Sequence, residues 1–326
     1  MSIRIVSAAE VRQLLPVPAC IDLMADAMTA ASNGSIAIPP RLVASLIDRS
    51  GFFALMPGSS LNPRVYGAKV ASLHPTNPAK GRPAVQGFVA VFDHATGAPV
   101  GIVEGGAITA LRTAATSGLA TRLLARPDAS SHGVFGTGVQ AVEHIEAIAA
   151  VRPIRRVLVW GRSPEKARKL AAEQTARTGL KAVAVEDPAR VAGCDVVSTV
   201  TGATQPILQG TWLAPGSHVN LVGTHSPTAR EADSEAVARA RVYVDLMQSA
   251  LTEAGDLLIP MQEGRIDRSH IIGELGALVA GAIPGRRGPD EITLYKSLGV
   301  VAQDLFAAAH VMQRARTLGV GTQVEL

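Results

Sequence analysis

The spacing of apolar residues changes twice along the chain. Near the start, "AAEVRQLLPVPACIDLMADAMTAASNG" repeats its apolar positions at three and four residues, the helical period. Pro16 and Pro18 cut this pattern, so it predicts two helical pieces ending at Gly34. From about 36 to 103 the pattern becomes short runs between Gly, Pro and Asn: "RLVASLI", "GFFALMPG", "RVYGAKVASLH", "QGFVAVFD" and "APVGIVEG". These predict a meandering sheet with hairpins, one of them turning at "TGAP".

An alanine-rich helix is expected over about 109–125, stopped by Pro127. Strand and helix patterns then alternate. "HGVFG" and "RRVLVWG" read as strands, each followed by a helix, over 138–150 and 164–177. "LKAVAV", "DVVSTV", "HVNLVG" and "RVYVD" read as further strands, and 291–316 as a final helix that packs back on the first domain. Such alternation means a parallel sheet with helices on both faces. The expected class is α/β: a Rossmann-type doubly wound sheet plus a smaller α+β domain. No internal repeat is visible.

Composition narrows the function. A length of 326 residues suggests two domains, and 47% hydrophobic with 18% charged residues is ordinary for a globular protein. Aromatics are only 3%, so Val, Ala, Leu and Ile must do the packing. The net charge is +4 and the basic residues are dispersed, whereas a nucleic-acid binder would show a basic stripe with aromatics. Cys20 and Cys194 are too few for a zinc site or a disulfide framework, so no metal is expected and the cytoplasm is the expected location. No uninterrupted apolar run approaches the roughly 18 residues of a membrane span. The nearest, "AITALRTAATSGLATRLLA", is broken by Arg112 and Arg122.

One turn carries chemistry. In "GVFGTGVQA", Gly136, Thr137, Gly138, Val139, Gln140 and Ala141 fit the G-x-G-x-x-G/A fingerprint, follow a strand and open a helix. The first glycine allows the tight turn, the second lets backbone N–H groups approach a pyrophosphate, and Ala141 keeps helix and sheet close. The helix N-terminus favours the anion. At the tip of the next strand an NAD site usually carries an acid. Here "VWGRSPEKARK" places Arg162 and Ser163 in the turn, with Lys166 nearby and no acid before Glu165. An arginine there suits a 2′-phosphate, so NADP(H) is preferred, with NAD(H) permitted. The alternative is a solvated Arg162 in a permissive site.

In the first domain Arg41, Lys69 and Arg112 have apolar or small neighbours, where charge is costly unless paired. Converging on one cleft, they would hold a carboxylate substrate. Standing apart, they would be three structural ion pairs, and the residues alone do not choose.

The chain resembles the ornithine cyclodeaminase/μ-crystallin family over nearly its whole length. The resemblance rests on "PPR" at 39–41, "LMPG" at 55–58, "YGAKVAS" at 66–72, "GFVAVFDHATGAPVGIVEG" at 87–105 and "LRTAATSGLATRLLARPDA" at 111–129. It continues in "GVFGTGVQA" at 133–141, "EAGDLL" at 253–258, "GELGALVAG" at 273–281 and "EITLYKSLGV" at 291–300. It implies a substrate-binding and dimerisation domain, 1–118 with 302–326, and an NAD(P)-binding domain, 119–301. It implies a homodimer in which the first domain's sheet joins that of a second subunit. It gathers Arg41, Lys69 and Arg112 around the substrate carboxylate. It lines the cofactor with Thr113, Ser198, Thr199, Val200, Thr201, Val222, Gly223 and Ser297, with Ser297 and Leu298 near the nicotinamide.

Two positions separate the branches of that family. Cyclodeaminases carry an acid just before "LMP", to hold the distal amine of ornithine, and a catalytic Asp in the turn after the "VG" strand. This chain has Ala54 and His225 at the matching positions. A cationic substrate side chain would lose its partners. The resemblance therefore points to the ketimine reductase branch. The expected reaction is NAD(P)H-dependent reduction of Δ1-pyrroline-2-carboxylate to L-proline, or of Δ1-piperideine-2-carboxylate to L-pipecolate. Ala54 and Met56 would face the ring methylenes, and Lys69 or His225, directly or through water, would supply the proton. As a structural residue, His225 would cap a strand or bond a ribose. The alternatives are an ornithine cyclodeaminase, an alanine-type dehydrogenase or amino-acid synthase, and a μ-crystallin-like NADPH-dependent binder of small ligands.

Overall fold

The structure, a computed structural model, describes residues 2–325. Strand β1 (Ser2–Val6) leads into α1 (Ala8–Leu14). The Ser7 hydroxyl accepts a hydrogen bond from the Glu10 N–H, and the Glu10 carboxylate accepts one from the Ser7 N–H, closing a capping box. The prolines fall at the expected break. Pro16 precedes α2 (Val17–Ser32), and Pro18 lies in its first turn, where a missing N–H costs no intrahelical bond. Strands β2 (Ile36–Ala37), β3 (Leu42–Ser45), β4 (Phe52–Leu61), β5 (Arg64–Leu73), β6 (Val85–Phe92) and β7 (Pro99–Glu104) follow. Helix α3 (Gly105–Leu124) begins earlier than its alanine-rich stretch, because the Glu104 carboxylate accepts hydrogen bonds from the Gly106 and Ala107 N–H groups. Arg112 therefore lies about two turns into the helix.

Next come β8 (Ser131–Phe135), α4 (Val139–Ala149), β9 (Arg156–Trp160), α5 (Pro164–Thr178), β10 (Lys181–Ala184), α6 (Pro188–Ala192) and β11 (Val196–Thr199). They are followed by β12 (His218–Leu221), α7 (Ser234–Arg239), β13 (Ala240–Val244), α8 (Met247–Glu253), α9 (Gly255–Gln262), β14 (Ile271–Glu274) and α10 (Leu275–Val279). One expectation fails. The segment 291–316 is not a single helix: Ile292–Lys296 is strand β15, and α11 (Val301–Leu318) starts only after a turn. Every residue of β15 is buried, and a strand covered on both faces has no alternation to distinguish it from a helix. Strand β16 (Thr322–Glu325) follows α11.

The chain divides into two compact units, residues up to Arg112 with those from Val300 onward, and Thr113–Gly299. In the first, the sheet runs β16-β1-β7-β6-β5-β4-β2, with β3 also on β4. Strands β4 to β7 are the expected antiparallel meander, and β1 joins β7 in parallel. Facing residues of an antiparallel pair share a side of the sheet. Met56 faces Lys69, Ala54 faces Ala71 and Gly58 faces Gly67, so all six lie on one side. Helix α11 covers that side, with Gly58, Gly67 and Gly101 leaving room for Val301, Leu305 and Met312.

The second unit is a parallel sheet in the order β10-β9-β8-β11-β12-β15-β13-β14. Strand order reverses between β8 and β11, the switch point at which such sheets open a crevice beyond their carboxyl ends. Its core is mostly aliphatic, with Val197, Val219, Leu221 and Leu294 fully buried. Three histidines join that core. His132 lies by the Ser198 hydroxyl, His144 by the Ser117 hydroxyl, and His218 by Thr293 and Asn220. Among the described residues no single helix is long and apolar enough to cross a membrane.

Candidate active site

The stretches proposed for the cofactor all follow carboxyl ends of neighbouring parallel strands. Gly136 to Gln140 follow β8, Arg162 and Ser163 follow β9, Val200 and Thr201 follow β11, Val222 and Gly223 follow β12, and Ser297 and Leu298 follow β15. Four of these five loops leave their strands by extending the ladder. The Gly136 N–H donates to Trp160 O, the Val200 N–H to Phe135 O, the Val222 N–H to Thr199 O and the Ser297 N–H to Leu221 O, all at 2.9–3.0 Å.

The glycine turn fits a dinucleotide. Gly136 has φ +133, and a Cβ there would lie 2.9 Å from Val200 O, so no side chain is tolerated. Gly138 caps α4 with no side-chain hydrogen bond, is exposed, and has nothing within 4 Å of where a Cβ would stand. That leaves an open approach to the helix N-terminus, the arrangement a pyrophosphate needs. Val139 is exposed beside it, and Thr137 and Gln140 are half-buried. Arg162 and Lys166 are exposed at the tip of β9, while the Ser163 hydroxyl accepts the Lys166 N–H and so caps α5.

Other predicted positions are braced from within. The Thr199 hydroxyl donates to Glu231 Oε2 and the Thr201 hydroxyl to Glu231 Oε1. The Gly223 N–H donates to Glu231 Oε2 at 2.7 Å. Asp256 Oδ1 accepts the N–H groups of Glu231 and Ala232, and its Oδ2 accepts the Thr224 hydroxyl and lies 2.8 Å from Lys296 Nζ. These groups are completely buried except Thr201, Gly223 and Thr224. Burial alone would raise Asp256, but the Lys296 charge together with the hydrogen bonds from Lys296, Thr224 and the Ala232 N–H outweighs it and holds this carboxyl below the usual range. Burial, with Asp256 adding to it, pushes Glu231 up. The turn after β12 is thus tied at both ends, and exposed His225 stands on it. Leu298 is fixed in the same way, its N–H donating to Asp245 Oδ2 at 2.7 Å. Thr113, Val222 and Ser297 are buried.

In the first unit the structure brings Lys69 and Arg112 together. Asp304 Oδ1 lies 3.1 Å from Lys69 Nζ and 3.2 Å from Arg112 Nε. Arg112 Nη1 also donates to Gln303 Oε1. Arg41 is half-buried and close enough to act on Lys69. Burial is the main force lowering the Lys69 pKa, Asp304 raises it, and Arg112 and Arg41 lower it further, leaving it at about 8. Met56, buried, and Ala54, half-buried, lie on the same side of the sheet as Lys69. Cations beside an apolar wall can bind an organic carboxylate whose remainder is uncharged.

The model of the ornithine cyclodeaminase/mu-crystallin family matches residues 2–318. The chain belongs to this family. Among its members, the Δ1-pyrroline-2-carboxylate reductase of Bacillus cereus is 34% identical over 98% of this chain and 99% of its own. The ketimine reductase mu-crystallin of Mus musculus is 35% identical over 85% and 84%. The structure of Thermococcus litoralis Δ1-pyrroline-2-carboxylate reductase with NADH and L-proline superposes with a TM-score of 0.96, at 36% identity, over 99% of this chain and 100% of that one.

Within each unit, sequence reasoning passed over the residues that brace the predicted positions. Asp304, Lys296, Asp256, Glu231 and Asp245 are all fully buried. A signal was present for some of them. Asp304 is the one charge in "VVAQDLFAAAH", and Lys296 ends the buried run "ITLYK". A charge inside an apolar run demands a partner, but not a particular one.

Proposed function

We propose that this protein is an NAD(P)H-dependent reductase of cyclic ketimines, forming L-proline from Δ1-pyrroline-2-carboxylate or L-pipecolate from Δ1-piperideine-2-carboxylate. The observation that carries this reading is the pairing of Lys69 and Arg112 on one buried carboxylate beside Met56 and Ala54. The cations suit the substrate carboxylate, and the apolar wall suits ring methylenes. Ala54 offers no acid for a distal amine. Relatives of this size and similarity are named Δ1-pyrroline-2-carboxylate reductases.

In this reading Arg112, Lys69 and Arg41 fix the carboxylate. Lys69, or His225 directly or through water, supplies the proton to nitrogen. The backbone of Gly136 to Gln140 holds the pyrophosphate, with Val200, Thr201, Val222, Ser297 and Leu298 along the rest of the cofactor. The reduced nicotinamide, when bound, supplies hydride to ring carbon C2. Arg162 and Lys166, exposed without an acid before Glu165, favour NADP(H) over NAD(H).

A homodimer belongs to the same reading. On the sheet side away from Lys69, Leu42, Leu55, Val70 and Phe88 form a continuous apolar row, with Leu42 and Phe88 exposed. A second copy would cover it. The buried thiols of Cys20 and Cys194 suit a reducing cytoplasm.

The test incubates purified protein with NADPH or NADH and each cyclic imine, following cofactor absorbance, while ammonia release from ornithine with NAD is assayed in parallel. Imine-dependent oxidation without ornithine turnover is the expected result. Ornithine turnover would sink the reading.

A further inference from the structure

We propose that Asp304 is the positioning residue of the reduction, holding Lys69 as the ammonium ion that gives its proton to the imine nitrogen. This rests on the ketimine reductase reading and adds to it both the proton donor and the group that keeps it charged.

Two features point to a role for Asp304 beyond holding the fold. Its bonds are one-sided. Oδ1 serves both Lys69 and Arg112, while Oδ2 is buried with no partner. Asp256 shows the other arrangement, with two backbone N–H groups on Oδ1 and Lys296 and Thr224 on Oδ2. Most buried carboxylate oxygens are hydrogen-bonded, because an unmet lone pair costs free energy, so the bare Oδ2 calls for an explanation. The second feature is Lys69 itself. An ammonium offers three donors, yet Lys69 donates only to Asp304 although it is buried. Its other N–H bonds are available to a ligand.

Three charges face Lys69: Asp304 from α11, Arg112 from α3 and Arg41 from the segment before β3. Its ladder neighbours, Met56 on β4 and Val89 on β6, bring none. Burial and the two arginines favour the neutral amine, and Asp304 alone favours the ammonium. The result is an acid poised close to neutrality, the range in which proton transfer is most effective. In the reaction, hydride forms the new C2–H bond while the C=N π pair moves to nitrogen. The Lys69 proton forms the N–H bond, leaving a neutral amine that is reprotonated from water. The reduced nicotinamide is the electron donor.

Asp304→Asn removes the only charge that favours the ammonium. The variant is expected to move the alkaline limb of kcat/KM for Δ1-pyrroline-2-carboxylate to lower pH by about one unit or more, a loss of about tenfold near pH 8.5. Near pH 6, where Lys69 is charged in both proteins, most of the activity remains. The substrate imine titrates alike with both proteins, so a displaced limb belongs to the protein. Asp304→Glu should return the limb towards its original position. The Lys69 titration, read by nitrogen NMR on the substrate-free protein, should shift down in the same direction. If Asp304→Asn does not fold, Asp304→Ser carries the same expectation. A folded variant whose limb and Lys69 titration both stay in place overturns the proposal, as does an equal loss at every pH. If the unaltered protein reduces no cyclic imine, the functional reading fails instead, and the NMR titration still decides the role of Asp304.

Discussion

Gly58 lies directly beneath Val301: a Cβ on the glycine would stand 2.8 Å from Val301 Cγ1 and 3.2 Å from Ala37 O. Val301 is the first residue of α11, and Asp304 lies one turn further on. The contact thus lies one helical turn from the carboxylate that pairs with Lys69. Gly58→Ala should lift this end of the helix at a cost of about 1–3 kcal/mol, the usual range for overpacking. Thermal unfolding should show a lowered Tm, and imine reduction should fall alongside it. Unchanged Tm and unchanged turnover would show that α11 gives way freely.

A charge-assisted contact from Arg112 to the substrate carboxylate would be worth about 1.5–3 kcal/mol, so Arg112→Met should lower kcat/KM for the imine by roughly 10- to 150-fold. Arg112→Lys should restore little, because an ammonium cannot reproduce the planar fork that reaches Asp304 and Gln303 together. Steady-state kinetics on both variants decide the matter. Wild-type values would remove Arg112 from the carboxylate site.

His225 is exposed on a turn that Glu231 and Asp256 hold in place, so its removal should not disturb the backbone around it. On a substrate-side role, His225→Ala should reduce turnover by about tenfold or more, the loss of one charge-assisted or neutral hydrogen bond in the site. NADPH binding, followed by fluorescence, should change little. Unaltered turnover would return His225 to a purely structural place.

Arg162→Ala tests the cofactor preference. A lost phosphate contact should weaken NADPH by about tenfold or more and leave NADH nearly unaffected, because only NADPH carries the 2′-phosphate. Equal effects on both Kd values would refute the contact.

Acid should unfold the parallel-sheet unit early. His132, His144 and His218 are completely buried, and burial pushes their pKa values down to about 3, 4 and 3. The unfolded chain takes up these protons near pH 6.5, so between that pH and the folded values it binds more protons than the native state. Stability therefore falls as pH drops below about 6.5, at up to about 1.4 kcal/mol per pH unit for each histidine. Urea unfolding at pH 7 and pH 5 measures the slope. Equal stabilities would mean that the three imidazoles are not held neutral.

Much of this protein was legible in its sequence because the relevant physics is local. Helix breaks at Pro16 and Pro18, the meander from β4 to β7, and the glycine turn between β8 and α4 each follow from residues a few positions apart. The same locality explains the error at Ile292–Lys296, where burial on both faces removed the alternation that marks a strand. The sequence could name Lys69 and Arg112 as costly charges, but it could not say whether they share one site. That depended on Asp304, which is 235 and 192 residues away from them along the chain. Only the return of α11 over the glycines of β4 and β5 brings that carboxylate to both cations. Charge pairing is set by distance in space, and folding alone fixes that distance.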